Sequence, residues 1–207
     1  METDLAAENL QTIRTLMERA AVYRRALAPI MVWNGIVGIA GGIAGSCTRI
    51  DSDSAFILFW SVTALIAIIG SFLLVRRQAL KDSEPFWSPP TRRVAQAILP
   101  PLLIGAAVNV IGYIWFRGQI YLEATLLYPV GWLFLYGCAA HAAGFFMTRG
   151  MKLFGWVFIL LGCVLLGSRF PFNIHYSPFV LMGATFGGLH LAYGVYLYIT
   201  EKGKNAA

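Results

Sequence analysis

The stretch Ala55-Phe56-Ile57-Leu58-Phe59-Trp60-Ser61-Val62-Thr63-Ala64-Leu65-Ile66-Ala67-Ile68-Ile69-Gly70-Ser71-Phe72-Leu73-Leu74-Val75, followed directly by Arg76-Arg77, decides how this chain folds. It carries no charge over a length that, at 1.5 Å per helical residue, crosses the roughly 30 Å hydrocarbon core of a bilayer. A helix on the surface of a soluble domain keeps one polar face; this one is apolar all round, so each face must meet lipid or another helix. The arginine pair then stands where lipid headgroups begin.

Five further stretches repeat the pattern, and the predicted spans are 28–48, 55–75, 94–116, 124–147, 151–168 and 178–200. The expected fold is therefore all-α: a polytopic bundle of six transmembrane helices over residues 28–200, closed by a cytoplasmic tail at 201–207. Composition agrees, since the 207 residues are 58% hydrophobic and 13% charged, against about 25% charged in soluble domains. Thr148-Arg149-Gly150 is so short a connection that the fourth and fifth helices must run antiparallel side by side. Ahead of the first span, residues 1–27 are too charged to cross. Leu10, Ile13, Met17, Ala20 and Leu27 recur there at helical spacing while Arg14, Glu18 and Arg25 take other faces, which predicts an amphipathic helix lying on the membrane surface.

Orientation follows from the basic residues. Arg14, Arg19, Arg24, Arg25, Arg76, Arg77, Lys81, Arg92, Arg93, Arg149, Lys152, Lys202 and Lys204 fall on the side of the N-terminus, while only Arg49, Arg117 and Arg169 fall on the other. Cytoplasmic loops collect Lys and Arg, so both termini are expected in the cytoplasm, as in a protein of the bacterial inner membrane. The formal charge of +6 is thus spent on topology and on anionic lipid, and no basic motif points to nucleic acid. A cleaved signal peptide is disfavoured because the charged region before the first apolar stretch is far longer than an n-region.

Two connections are aromatic: the cytoplasmic segment 84–93, with Phe86, Trp87 and three prolines, and the external segment 169–176. Both read as interfacial anchors. Pro100, Pro101 and Pro129 fall within the third and fourth spans and predict kinks or late helix starts.

All ten acidic residues lie at or beyond span ends, which argues against proton-coupled transport, intramembrane aspartyl proteolysis and carboxylate metal sites. The polar set left inside comprises Asn34, Asn109, Cys138, His141, Cys163 and His190. Counted by helical rise, all but Asn109 lie roughly 9–16 Å from the cytoplasmic boundary. His141 and His190, with Cys138 and Cys163 near their level, are the candidate ligands for a haem or a transition metal. Set against that is the plainer reading of hydrogen bonds between helices, open to Asn34 and Asn109 as well. Tyr136–His141 and Thr185–His190 form a faint internal echo, each placing a histidine after small residues. Ser61, Thr63 and Ser71 read as helix residues bonded to their own backbone. The cysteines, Cys47 included, show neither disulfide nor zinc spacing.

Gly38 and Gly42, Gly41 and Gly45, and Gly183 and Gly187 are each four apart and give the first and sixth helices smooth faces for close packing. No phosphate-binding loop, zinc helix or serine elbow is present. These features lead to a non-catalytic membrane protein acting by association, as a subunit or accessory factor of a larger assembly or as a homo-oligomer. A channel or facilitator for a small neutral molecule, and a haem- or metal-binding redox or sensor protein built on His141 and His190, are the alternatives.

Overall fold

The computed structural model describes residues 26–48, 50, 52–83, 85–115, 122–147, 149–172 and 177–205, and every regular element among them is helical. The elements are α1 (Ala26–Cys47), α2 (Asp53–Lys81), α3 (Pro89–Trp115), α4 (Leu122–Ala143), α5 (Arg149–Phe172), α6 (Pro178–Met182), a π-helical turn (Gly183–Gly188) and α7 (Leu189–Asn205). The last three run on without a break as one closing helix. Among the described residues, five segments are long and apolar enough to cross a membrane: Ala26–Cys47, Asp53–Lys81, Thr91–Trp115, Gly150–Ser168 and Pro178–Thr200. Between the third and fourth of these lies α4, with 22 residues. The chain is thus an integral membrane protein of helical type. The surface helix expected over residues 1–27 lies outside the described residues, apart from Ala26 and Leu27, which open α1.

Helix ends and span ends are set by different forces, and the structure separates them. Although the apolar stretch of α2 stops at Val75, the helix continues to Lys81 because nothing in Arg76–Leu80 breaks it. It ends where Ser83 turns left-handed at φ 52°, with the Asp82 N–H bonded to the Gln78 carbonyl and that of Ser83 to Leu80. At its start, the Ser52 hydroxyl accepts the Ala55 N–H as an N-cap. Likewise α3 begins at Pro89, ahead of its apolar stretch, because proline suits the first helical turn. Pro100 and Pro101 lie inside α3 and Pro129 inside α4, and both helices are continuous through them. Four residues before its expected end, α4 stops at Ala143 and tightens into i→i+3 bonds from Phe145 and Phe146.

Glycine decides which helices touch. Along α1, a Cβ on Gly35 would meet Leu191 backbone at 2.6 Å, one on Gly38 would meet Gly187 backbone at 2.7 Å, and one on Gly42 would meet the Gly183 Cα at 2.8 Å. From the other side, Gly194 is pressed against the Val32 backbone. Residue numbers rise on one helix as they fall on the other, so α1 and the closing helix are antiparallel and packed backbone to backbone. A second glycine contact joins α4 to α5: Gly155 against the His141 backbone, Gly137 against Ile159, and Gly144 against Lys152. Again the order is antiparallel, as the short connection requires.

Two buried clusters fill the space between. Near the start of α1, Leu27, Met31, Leu133, Ala140, Met151, Phe154 and Phe158 come together from α1, α4 and α5, with Leu189 and Tyr193 of α7 against them. Towards the opposite end, Phe56, Trp60 and Met182 are joined by Tyr128 and Phe179. Phe56 meets the Phe179 ring edge to face at 4.8 Å, a geometry that adds to plain burial.

Candidate functional site

His190 is among the most enclosed polar side chains of the described residues, at 3% exposure. Its surroundings follow from the π turn before it. That turn admits one residue beyond α-helical count, which shifts the backbone register and rotates all that follows by about 100°. His190 Nδ1 lies 2.5 Å from the Phe186 carbonyl one turn back. A carbonyl can only accept, so Nδ1 carries the proton and donates it. In the neutral ring Nε2 is then the acceptor, and the Tyr136 hydroxyl on α4 donates to it at 2.5 Å. Phe154, Phe158 and Tyr136 ring the imidazole at centroid distances of 5.1, 5.6 and 5.1 Å, and Phe186 stacks on it. Both nitrogens are therefore engaged by the protein itself. Chemically, the arrangement pins the π turn to α4 and α5.

His141 has a different neighbourhood. Its ring meets Phe145 and Trp156 edge to face, and its Nδ1 is 3.5 Å from the Lys152 carbonyl. Trp156 lies two residues from both Phe154 and Phe158, a rotation of about 200° on a helix. The two histidines thus contact opposite sides of α5 and share no partner. Cys138 and Cys163 are free thiols exposed on the outside of the bundle, as is Cys47. Among the described residues, no three His, Cys, Asp or Glu side chains come together as a metal site requires.

The remaining polar residues pair between helices. Asn34 Oδ1 on α1 accepts the Ser71 hydroxyl of α2 at 2.9 Å. Asn109 on α3 donates through Nδ2 to Ser61 Oγ of α2 at 3.0 Å and accepts through Oδ1 from Trp132 Nε1 of α4 at 3.2 Å. Asn109 thereby ties three helices at one point. Of the three hydroxyl residues expected to bond their own backbone, only Thr63 does so, to the Phe59 carbonyl; Ser61 and Ser71 serve neighbouring helices. Gly38, Gly42 and Gly45 face the closing helix, Gly45 against the Phe179 ring, whereas Gly41 faces Thr63 and Trp60 of α2. Gly183 and Gly187 complete the α1 contact. The internal echo does not extend to geometry, because residues 136–141 are regular α-helix while 183–188 form the π turn.

Tyr136, Phe154, Phe158 and Trp132 are the partners that sequence reasoning passed over. Their only advance signal was a depth similar to that of the histidines and of Asn109.

What this fold and these contacts define is a helical membrane bundle held by glycine contacts and a few polar ties. Compared with known proteins, the chain matches no family model, no curated protein and no solved structure.

Proposed function

We propose that the chain is a six-span protein of the bacterial inner membrane, with both termini in the cytoplasm, that acts without catalysis by association. It would serve as a subunit or accessory factor of a larger membrane assembly, or as a homo-oligomer. In this reading α4 supplies the sixth crossing, and the amphipathic stretch ahead of α1 would lie along the cytoplasmic surface. The uneven spread of Lys and Arg supports the orientation.

One observation carries the functional reading. Buried residues make up 44% of the crossing window of α1 and 33% of that of the closing helix, but only 11% in α2 and 6% in α3. Helices associate in lipid through van der Waals packing and hydrogen bonds, because hydrocarbon gives no hydrophobic drive between them. The α2–α3 hairpin has little of the first, and its described polar ties run through Asn34–Ser71 and Asn109. Its long apolar faces, with Leu65, Ile68, Leu103, Ile104 and Val110 all more than half exposed, suit a protein partner that would supply the packing the chain itself does not.

Extraction from the native membrane in a mild detergent, followed by native mass spectrometry, tests this. A stable complex or oligomer whose cross-links map to α2 and α3 is the expected result. A monomer in native-lipid nanodiscs, with no cross-link from either helix, overturns it.

A further inference from the structure

Where α4 turns into α5, a row of rings runs along the outside of the bundle. The Phe145 ring meets that of His141 at 5.4 Å between centroids, and His141 meets Trp156 at 5.5 Å. At the near end of the row, Lys152 Nζ stands over the face of Phe145, 3.7 Å from its centroid. Gly144 makes room for this, since a Cβ there would lie 2.5 Å from Lys152 Cγ. The lysine stem is thus laid across the end of α4, and the ring holds its ammonium in place. The crossing segment of α5 begins at Gly150, so Lys152 stands where hydrocarbon gives way to headgroups.

The charge there has no counterpart within the chain. Residues 141–156 include Arg149 and Lys152 but no acid, and Lys152 makes no ion pair with a described residue. A cation in the first turn of a 24-residue helix is also opposed by the helix dipole. One turn along the same face, about 6 Å deeper at the helical rise, stands Trp156, 48% exposed. Its N–H has no hydrogen-bond partner among the described residues. Leu160 and Val164 continue the row and are both exposed. From the boundary inward the order is a fixed cation, an N–H donor and an apolar track. A phospholipid presents the matching order of phosphate, ester carbonyl and acyl chain.

We infer that this face of α5 binds one anionic phospholipid, with its phosphate on Lys152 Nζ, a glycerol ester carbonyl on Trp156 Nε1 and an acyl chain along Leu160 and Val164. The headgroup is anionic because a zwitterionic one would bring its own cation against the positive first turn of α5, whereas net negative lipid is drawn to basic groups at this depth. This site lies on α5, away from the α2–α3 faces offered to a protein partner, and does not depend on that association.

The test is native mass spectrometry of the full-length protein in detergent, titrated with phosphatidylglycerol or with phosphatidylcholine of identical chains. Phosphatidylglycerol is expected to bind more tightly. Lys152→Gln lowers its affinity by about fivefold, the contribution of one basic group near the surface, and leaves phosphatidylcholine unchanged, while Lys152→Arg retains the preference. Trp156→Phe weakens both lipids alike, because both carry the ester carbonyl. The control is Arg76→Gln with Arg77→Gln: it removes two charges elsewhere and should cost less than Lys152→Gln. A larger loss in that control, or equal affinity for the two lipids, would show general surface attraction only and overturn the proposal. Displacement of phosphatidylglycerol by millimolar inorganic phosphate would also overturn it, by marking a site for soluble anions. Should Lys152→Gln fail to fold, lipids brominated in the acyl chains decide on the unaltered protein. The part of the tryptophan emission that Trp156→Phe removes should be quenched more by brominated phosphatidylglycerol than by brominated phosphatidylcholine, and equal quenching refutes the site.

Discussion

Replacing Gly38 by alanine adds one methyl group and has a cost that can be worked from the structure. The new Cβ would lie 2.7 Å from both the Cα and the nitrogen of Gly187, and 3.2 Å from the Phe186 carbonyl carbon. All three are backbone atoms of a helix, so no side chain can rotate away. Relief to an ordinary contact of 3.4 Å means parting α1 from the closing helix by about 0.7 Å, and a gap of that size forfeits a quarter to a half of each contact's attraction. Because both helices are stiff, the loss is shared along the line through Gly35, Gly42 and Gly194. Overpacking costs about 1–3 kcal/mol in general, and a shared loss places Gly38→Ala near 2–3 kcal/mol. Gly167→Ala is the control, since its Cβ would meet nothing within 4 Å; better helix propensity makes it neutral to stabilising by up to about 1 kcal/mol. Titration with SDS from mixed micelles, followed by circular dichroism, reads both. If the two variants unfold at the same SDS fraction, the backbone contact between α1 and the closing helix is not there, and the reasoning fails.

Three further outcomes follow from other contacts. Tyr136→Phe removes the donor to His190 Nε2 and should cost about 1–2 kcal/mol in the same titration; combined with His190→Leu it should cost less than the two single changes added together. Ser71→Ala, which breaks only the tie to Asn34, should cost about 0.6 kcal/mol, a small value that fits a loosely held α2. A membrane-impermeant maleimide applied to the outside of cells should label Cys47 but not Cys138 or Cys163, which sit at hydrocarbon depth; labelling of Cys47 only from the cytoplasmic side would reverse the proposed orientation.

The helical membrane class was legible because it depends on composition and length, as the stretch from Ala55 to Val75 shows. Helix limits were less so: polarity marks where lipid ends, whereas capping and turn geometry mark where a helix ends, and at Lys81 the two differ. Glycine spacing disclosed that α1 has smooth faces but not what they meet. Gly41 and Gly42 are adjacent in sequence and point at different helices, a choice set by the antiparallel pairing of the whole bundle. His190 was placed at a plausible depth, yet the π turn that aims it leaves no periodic mark in Gly-Ala-Thr-Phe-Gly-Gly. Ser61 and Ser71 look like any serine in a helix until a neighbour's asparagine comes within 3.0 Å.

The π turn has one more consequence. Between Phe179 and Gly194 the closing helix spends 15 residues where α1 spends 13 between Gly45 and Val32, although the two run side by side and touch at both ends. They behave like the two scales of a vernier, nearly matched in pitch, with one surplus division taken up in the π turn Gly183–Gly188. Without that store, the surplus would appear as a slip at one end, carrying Gly194 off Val32 or Phe179 off Gly45. The local defect therefore keeps the long contact in phase, and His190, braced on Phe186 and Tyr136, is the catch that holds the scale where it reads true.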